Sequence, residues 1–140
     1  MEKYILENQD SFKIFDCGQC FRWNKQQDGS FIGVIKDAVI KVEEVDNKII
    51  FYGESNSNFK ETINYYFDLY TNYAEYKNKL SNIDKNLYES VKFGEGIRIL
   101  RQDLWECIIS FIISANNNIP RIKKIIEKLS FAYGEKIYFD

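Results

Sequence analysis

Hydrophobic and polar residues alternate with a period of two through the first third of the chain, and with a period near 3.6 after it. Residues 10–53 have the pattern of a β-meander. Phe21-Arg22-Trp23 alternates, Asp28-Gly29 supplies a turn before Phe31 to Ile35, and Val39 to Val45 interleaves Ile40 and Val42 with Lys41 and Glu43. Asp46-Asn47 then turns the chain into Ile49-Ile50-Phe51-Tyr52, and Gly53 ends the run. The expectation is an antiparallel sheet with one face covered. From Asn58 the period lengthens: Asn58 and Glu61 mark a helix start, and Phe59, Ile63, Tyr66, Phe67 and Tyr70 fall on one helical face. Leu80, Leu87 and Val91 suggest further short helices closing over the sheet, and Gly94 and Gly96 flank a break. That break divides an N-terminal α+β region, 1–95, from a helical region, 96–140.

The helical region opens on its most apolar stretch. Eight of the ten residues from Leu104 to Ile113 are apolar, which predicts a helix buried on nearly every side. Asp103 is a fitting N-cap, Glu106 completes the capping-box spacing, and the helix should end at Ser114-Ala115. Asparagine tolerates left-handed backbone angles and bonds nearby backbone, so Asn116-Asn117-Asn118 should form a tight, ordered turn. Beyond Pro120-Arg121 a last helix places Ile122, Ile125, Ile126 and Leu129 on one face, with Gly134 placed to stop it.

Composition narrows the class of protein. The chain has 140 residues, ten Tyr and eleven Phe, enough for one compact domain or one domain and part of another. No apolar run reaches the length of a membrane span, and the first ten residues lack the basic-then-apolar pattern of a signal peptide, so no membrane role is expected. Three cysteines, an odd number, suit a reducing cytoplasm. Cys17-Gly18-Gln19-Cys20 does not make a metal site, because zinc takes four ligands and the chain has no histidine and one further cysteine. Cys107 and Trp105 are expected to be packing residues. A net charge of −2 does not suggest nucleic acid, yet Ile97 to Lys128 carries six basic residues against three acidic ones. Local charge leaves that partner open.

Two blocks give a sharper indication. Gly18-Gln19-Cys20-Phe21-Arg22-Trp23 and Gly96 to Ile122, GIRILRQDLWECIISFIISANNNIPRI, resemble the 8-oxoguanine DNA glycosylase/AP lyase family in content and order, with weaker similarity at Ile63 to Leu69 between them. Leu104 stands where the family commonly has proline. The resemblance implies an α+β fold: a twisted antiparallel sheet with covering helices, like the TATA-binding protein, followed by the start of an all-helical domain. The partner implied is double-stranded DNA containing 8-oxoguanine, flipped out for excision.

By the same resemblance, the Gly18 carbonyl would accept the proton that 8-oxoguanine carries on N7 and guanine lacks. One such bond discriminates, because guanine would set an acceptor against an acceptor. Asn116 would fill the space left by the flipped base, and Arg121, which has donors only, would read the orphaned cytosine. Taken alone, Gly18 is a strand-entry glycine, the asparagines are a turn, and Arg121 is a solvated helix residue. Gln19 and Phe21 are expected to hold their segment in place, and Arg98, Arg101 and Gln102 to brace the junction between regions.

The family's lysine nucleophile and downstream aspartate have no counterpart here, so no catalytic residue is assigned, and the resemblance implies no cofactor. The expectation is the N-terminal part of a glycosylase, inactive as 140 residues, whose partly uncovered apolar helix favours self-association. A non-catalytic DNA-binding or partner-binding module of the same fold remains the alternative, with a structural or dimerisation domain as a third.

Overall fold

The computed structural model describes residues 1–7, 12–54 and 58–138. Residues 10 and 11 of the expected meander, and the Phe139-Asp140 end, lie outside the described residues. Five strands run in chain order: β1 (Glu2–Glu7), β2 (Trp23–Lys25), β3 (Phe31–Ile35), β4 (Ala38–Val45) and β5 (Lys48–Gly53). They form one antiparallel sheet in the order β1-β5-β4-β3-β2. Alternation directs the faces as expected: Ala38, Ile40 and Val42 of β4 and Ile49 and Phe51 of β5 point inward. Asp46 and Asn47 both take positive φ, 49° and 59°, which sets the tight hairpin between Val45 and Lys48. Phe21 and Arg22 precede the strand that the alternation had them join; β2 begins at Trp23.

The first strand, β1, carries three adjacent apolar residues, Tyr4-Ile5-Leu6, which hide its period. Tyr4 stacks on Phe51 and donates a 3.0 Å hydrogen bond to Asn64, while Ile5 points outward. That edge strand was not legible in the sequence.

Helix α1 (Phe59–Tyr66) covers the sheet. Asn58 caps it by accepting from the Glu61 amide, and Phe59, Ile63 and Tyr66, with Phe67 just beyond, are buried against Phe51 and Trp23. Tyr70 departs from the expected face. Asp68 turns the chain at φ 50°, and the Tyr70 hydroxyl folds back to donate to Glu61 on the outside of α1. Helices α2 (Tyr73–Ser81) and α3 (Lys85–Phe93) also differ from expectation: they pack on each other and neither buries a residue, so they do not close over the sheet.

Helices α4 (Leu104–Ser114) and α5 (Ile119–Tyr133) are joined by the asparagine turn and touch each other. The Asp103 and Asn118 side chains cap them, accepting from the amides of Glu106 and Arg121. The expectation that α4 is buried on nearly every side is overturned: Trp105 is 70% exposed and Phe111 79%. Nothing among the described residues covers that face, so it remains open to solvent. On α5, Ile122 and Ile126 are buried against Phe21, with Ile113 of α4 beside them, while Leu129 is exposed. Gly134 ends α5 in an extended conformation, φ −87°, rather than in the left-handed one, and its amide donates to Ser130.

Candidate nucleic-acid interface

The three asparagines of the turn divide their work. Asn117 donates its amide to the Ile113 carbonyl at 3.0 Å, closing the end of α4, and accepts from the Asn118 amide. Asn118 caps α5. Asn116 takes the left-handed conformation, φ 50°, that reverses the chain. Among the described residues its side chain makes no hydrogen bond, and it is exposed. Arg121 is likewise exposed in the first turn of α5, with no ion pair among the described residues.

Gly18 lies beside this turn. A methyl group on it would sit 3.6 Å from Cδ1 of Ile119, the residue that opens α5. Its φ of +83° is a conformation that favours glycine. The fold therefore brings the Gly18 segment and the Asn116–Arg121 turn to one place, although about 100 residues separate them in sequence.

Neighbouring residues anchor the segment. The Gln19 side chain donates to the Arg98 carbonyl at 2.8 Å and accepts from the Leu100 amide at 2.7 Å, pairing like a short piece of strand. Its own carbonyl accepts from Gln102. Phe21 packs on Ile122 and Ile126. Arg98 donates to the carbonyls of Phe67 and Asp68 and stacks over Tyr73, and Arg101 donates to the Asp68 carboxylate at 2.8 Å. Burial would raise the Asp68 pKa, but bonds from Thr71, Arg101 and Tyr73 hold it below the usual value. Gln19, Phe21, Arg98, Arg101 and Gln102 are thus bracing residues.

One residue escaped the sequence reading. Lys123, one residue beyond Ile122 on α5, donates to the Asp16 carboxylate at 2.6 Å and to the Trp23 carbonyl at 3.1 Å. Both partners lie about 100 positions away, and no local pattern announces them.

The cysteines have structural settings. Cys17 and Cys20 both donate to the Ile14 carbonyl, at 3.3 and 3.4 Å. Among the described residues no three His, Cys, Asp or Glu side chains gather as a metal site. Burial, foremost, pushes the Cys20 thiol up to about 12, and the neighbouring Cys17 adds to this. Alkylation at pH 8 is expected to label exposed Cys17 and spare Cys20 until denaturant is added, as peptide mass spectrometry would show. Equal labelling of the two in the native chain would contradict the buried setting. The folded chain holds the Cys20 proton up to about 12, whereas an unshifted thiol releases it near 9.0; stability should therefore fall as pH rises through that window.

Two adjoining hollows of about 360 Å³ each lie between the sheet, α1, α4 and α5, sharing Lys36, Asp103 and Glu106 in their walls. Glu106 is raised by burial, an effect that the partly buried Arg22 guanidinium, 3.4 Å away, opposes. Neither hollow includes Gly18, Asn116 or Arg121. The candidate interface is an exposed turn and loop, a shape suited to a large partner.

An antiparallel sheet domain that presents such a turn beside a left-handed glycine has close structural counterparts among DNA repair enzymes. Residues 6–108 match the family model described as 8-oxoguanine DNA glycosylase, N-terminal domain, and the chain belongs to that family. The apo crystal structure of the Clostridium acetobutylicum 8-oxoguanine glycosylase/lyase superposes on 100% of this chain and 50% of its own, with 45% identity and a TM-score of 0.89. The same enzyme in complex with double-stranded DNA containing cytosine opposite 8-oxoguanine matches 99% of this chain with a TM-score of 0.88. The N-glycosylase/DNA lyase OGG1 of Arabidopsis thaliana is 28% identical over 83% of this chain and 33% of its own length. A stretch of 43 residues is 51% identical to the Saccharomyces cerevisiae N-glycosylase/DNA lyase. The chain thus spans half or less of the length of these relatives.

Proposed function

We propose that this chain is the lesion-recognition part of a DNA base-excision glycosylase acting on 8-oxoguanine in duplex DNA. One observation carries the proposal. Of three consecutive asparagines, two are committed to capping helices, while the third, Asn116, has a side chain that makes no hydrogen bond among the described residues and sits in a left-handed turn beside Gly18. A short amide held out in this way can enter a base stack at small entropic cost and offer both donor and acceptor. Arg121 reads the cytosine left behind, and the Gly18 carbonyl accepts the N7 proton of the damaged base. Relatives described as 8-oxoguanine glycosylase/lyase, one in complex with cytosine-containing lesion duplex, support this assignment.

In this proposal residues 1–95 form the sheet domain, and residues 96–140 begin the helical glycosylase domain. All buried members of the apolar cluster under the sheet except Leu100 come from 1–95, which supports that division, while Phe21 packs across it onto Ile122 and Ile126. Excision needs a lysine amine made nucleophilic by its surroundings, followed by β-elimination. The resemblance gives no residue of this chain the part of that lysine or its aspartate, so the 140 residues alone are expected not to cut. Three free thiols support a cytoplasmic location.

Arg121→Ala is expected to reduce the preference for 8-oxoguanine opposite cytosine over 8-oxoguanine opposite adenine by about five- to 150-fold, since a specific base contact is worth about 1–3 kcal/mol. Fluorescence anisotropy on the two duplexes measures it. If joint substitution of Asn116 and Arg121 left affinity for damaged duplex unchanged, their role on DNA would be lost, and a non-catalytic interaction module would become the better account.

A further inference from the structure

We propose that Lys123 is a positioning residue that locks the Gly18 segment to the asparagine turn, so that reading of the lesion and reading of the opposite base are coupled. The inference rests on the lesion-recognition role proposed above and adds a residue and a dependence between its two halves.

Three contacts join α5 to the segment that contains Gly18. Ile119 lies against Gly18 itself, Phe21 packs on Ile122 and Ile126, and the Lys123 ammonium donates to Asp16 at 2.6 Å and to the Trp23 carbonyl at 3.1 Å. The first two are apolar and allow sliding. The third is directional, and its two acceptors lie on either side of Gly18 in sequence. One cation therefore fixes both ends of the loop against the helix whose first turn carries Arg121. Asp16 is 58% exposed on its side chain, and ion pairs of that kind add little to stability. What the contact supplies is register: with Lys123 in place, a shift of the Gly18 carbonyl must move α5, and a shift of Arg121 must move the loop.

The coupling is measurable without chemistry. Equilibrium affinities of the intact protein are taken for four duplexes, with 8-oxoguanine or guanine opposite cytosine or adenine. The factor by which cytosine strengthens the lesion preference is the coupling between the two readings. Because the factor is a ratio of ratios on one preparation, partial unfolding of a variant cancels from it. In Lys123→Met this factor is expected to fall roughly tenfold, a size typical of coupled sites. Lys123→Arg, which keeps a cation with several donors, should retain most of it. Asp16→Asn should lower the factor in wild type and change it little in Lys123→Met.

An unchanged factor in Lys123→Met overturns the inference and leaves the proposed function standing, provided wild type still prefers 8-oxoguanine opposite cytosine to the undamaged pair. Loss of coupling in Lys123→Arg as complete as in Lys123→Met overturns it too, since a cation there would not be what sets the register. If wild type prefers no lesion, the proposed function fails, and this inference fails with it.

Discussion

Gly33→Ala is expected to lower the thermal midpoint by roughly 10 °C or to prevent folding, the largest effect anticipated for any single methyl group in this chain. Gly33 of β3 pairs with Trp23 of β2, and the indole lies flat across it. A Cβ there would fall 2.3, 2.4 and 2.7 Å from three ring carbons, far inside van der Waals contact. The ring has nowhere to move. It is fully buried, its Nε1 donates to the Tyr66 hydroxyl at 3.0 Å, and Phe15 and Phe67 sit 4.8 and 5.8 Å away on its other sides. Overpacking of a rigid core costs about 3 kcal/mol at the upper end of its usual range, which gives a shift of about 10 °C in a domain of this size. Gly29→Ala is the control: at φ +87° with nothing within 4 Å, it bears only backbone strain of about 1 kcal/mol. Melting curves followed by circular dichroism decide the matter, and a Gly33→Ala midpoint within 2 °C or so of wild type would mean that the indole has room to shift. The consequence reaches the interface, because the Trp23 carbonyl is one of the two acceptors that bind Lys123.

The features that could be read from sequence are those whose physics is local. Asn58 with Glu61 and Asp103 with Glu106 are caps spanning three residues, and each cap side chain accepts from the third amide as the spacing predicts. Among the described residues the returning glutamate bond of a full capping box does not form: Glu61 accepts from Tyr70 and Glu106 pairs with Arg22. Alternation in β4 and the Asp46-Asn47 turn are similarly short-range. Tyr4-Ile5-Leu6 defeats the same method, because its alternation is masked by an apolar residue on the solvent side. The two-residue turn at Lys36 takes φ 53° without glycine or asparagine to announce it. Apolar composition predicted a buried α4 because it measures what a helix favours, and not what is available to cover it. At the interface, a run of three asparagines signals a turn, yet only the folded backbone separates the two that cap helices from the one whose side chain makes no hydrogen bond among the described residues. The Lys123–Asp16 pair joins positions 107 apart and has no sequence signature at all.

The 140-residue chain is expected to self-associate through α4, and substituting Trp105 and Phe111 together by glutamate to keep it monomeric. Leu104, Trp105, Ile108, Phe111 and Ile112 recur at the spacing of one helical stripe, and all five are exposed on α4. Phe131 and Tyr133 near the end of α5 are each 86% exposed as well. A helical stripe of five exposed apolar residues is uncommon on monomers, and a second copy of the stripe is a partner of matching chemistry. Full burial of an aromatic side chain contributes about 1.5–3 kcal/mol, so losing two from each copy should weaken a dimer by at least about a hundredfold. Sedimentation velocity over a wide concentration range measures this, and a wild-type chain that stays monomeric at the highest concentration would rule the contact out. Neither side chain is buried within a single copy, so at concentrations where the wild type is monomeric the substitutions should leave its melting midpoint nearly unchanged. A protein of the length of the Clostridium relative, of which this chain matches 50%, has further polypeptide that can cover the stripe. There the same pair of substitutions should instead destabilise the fold by several kcal/mol, on the order of what burying charges in a core costs. The effect on melting thus tells whether α4 is meant to meet another copy or the remainder of a longer chain.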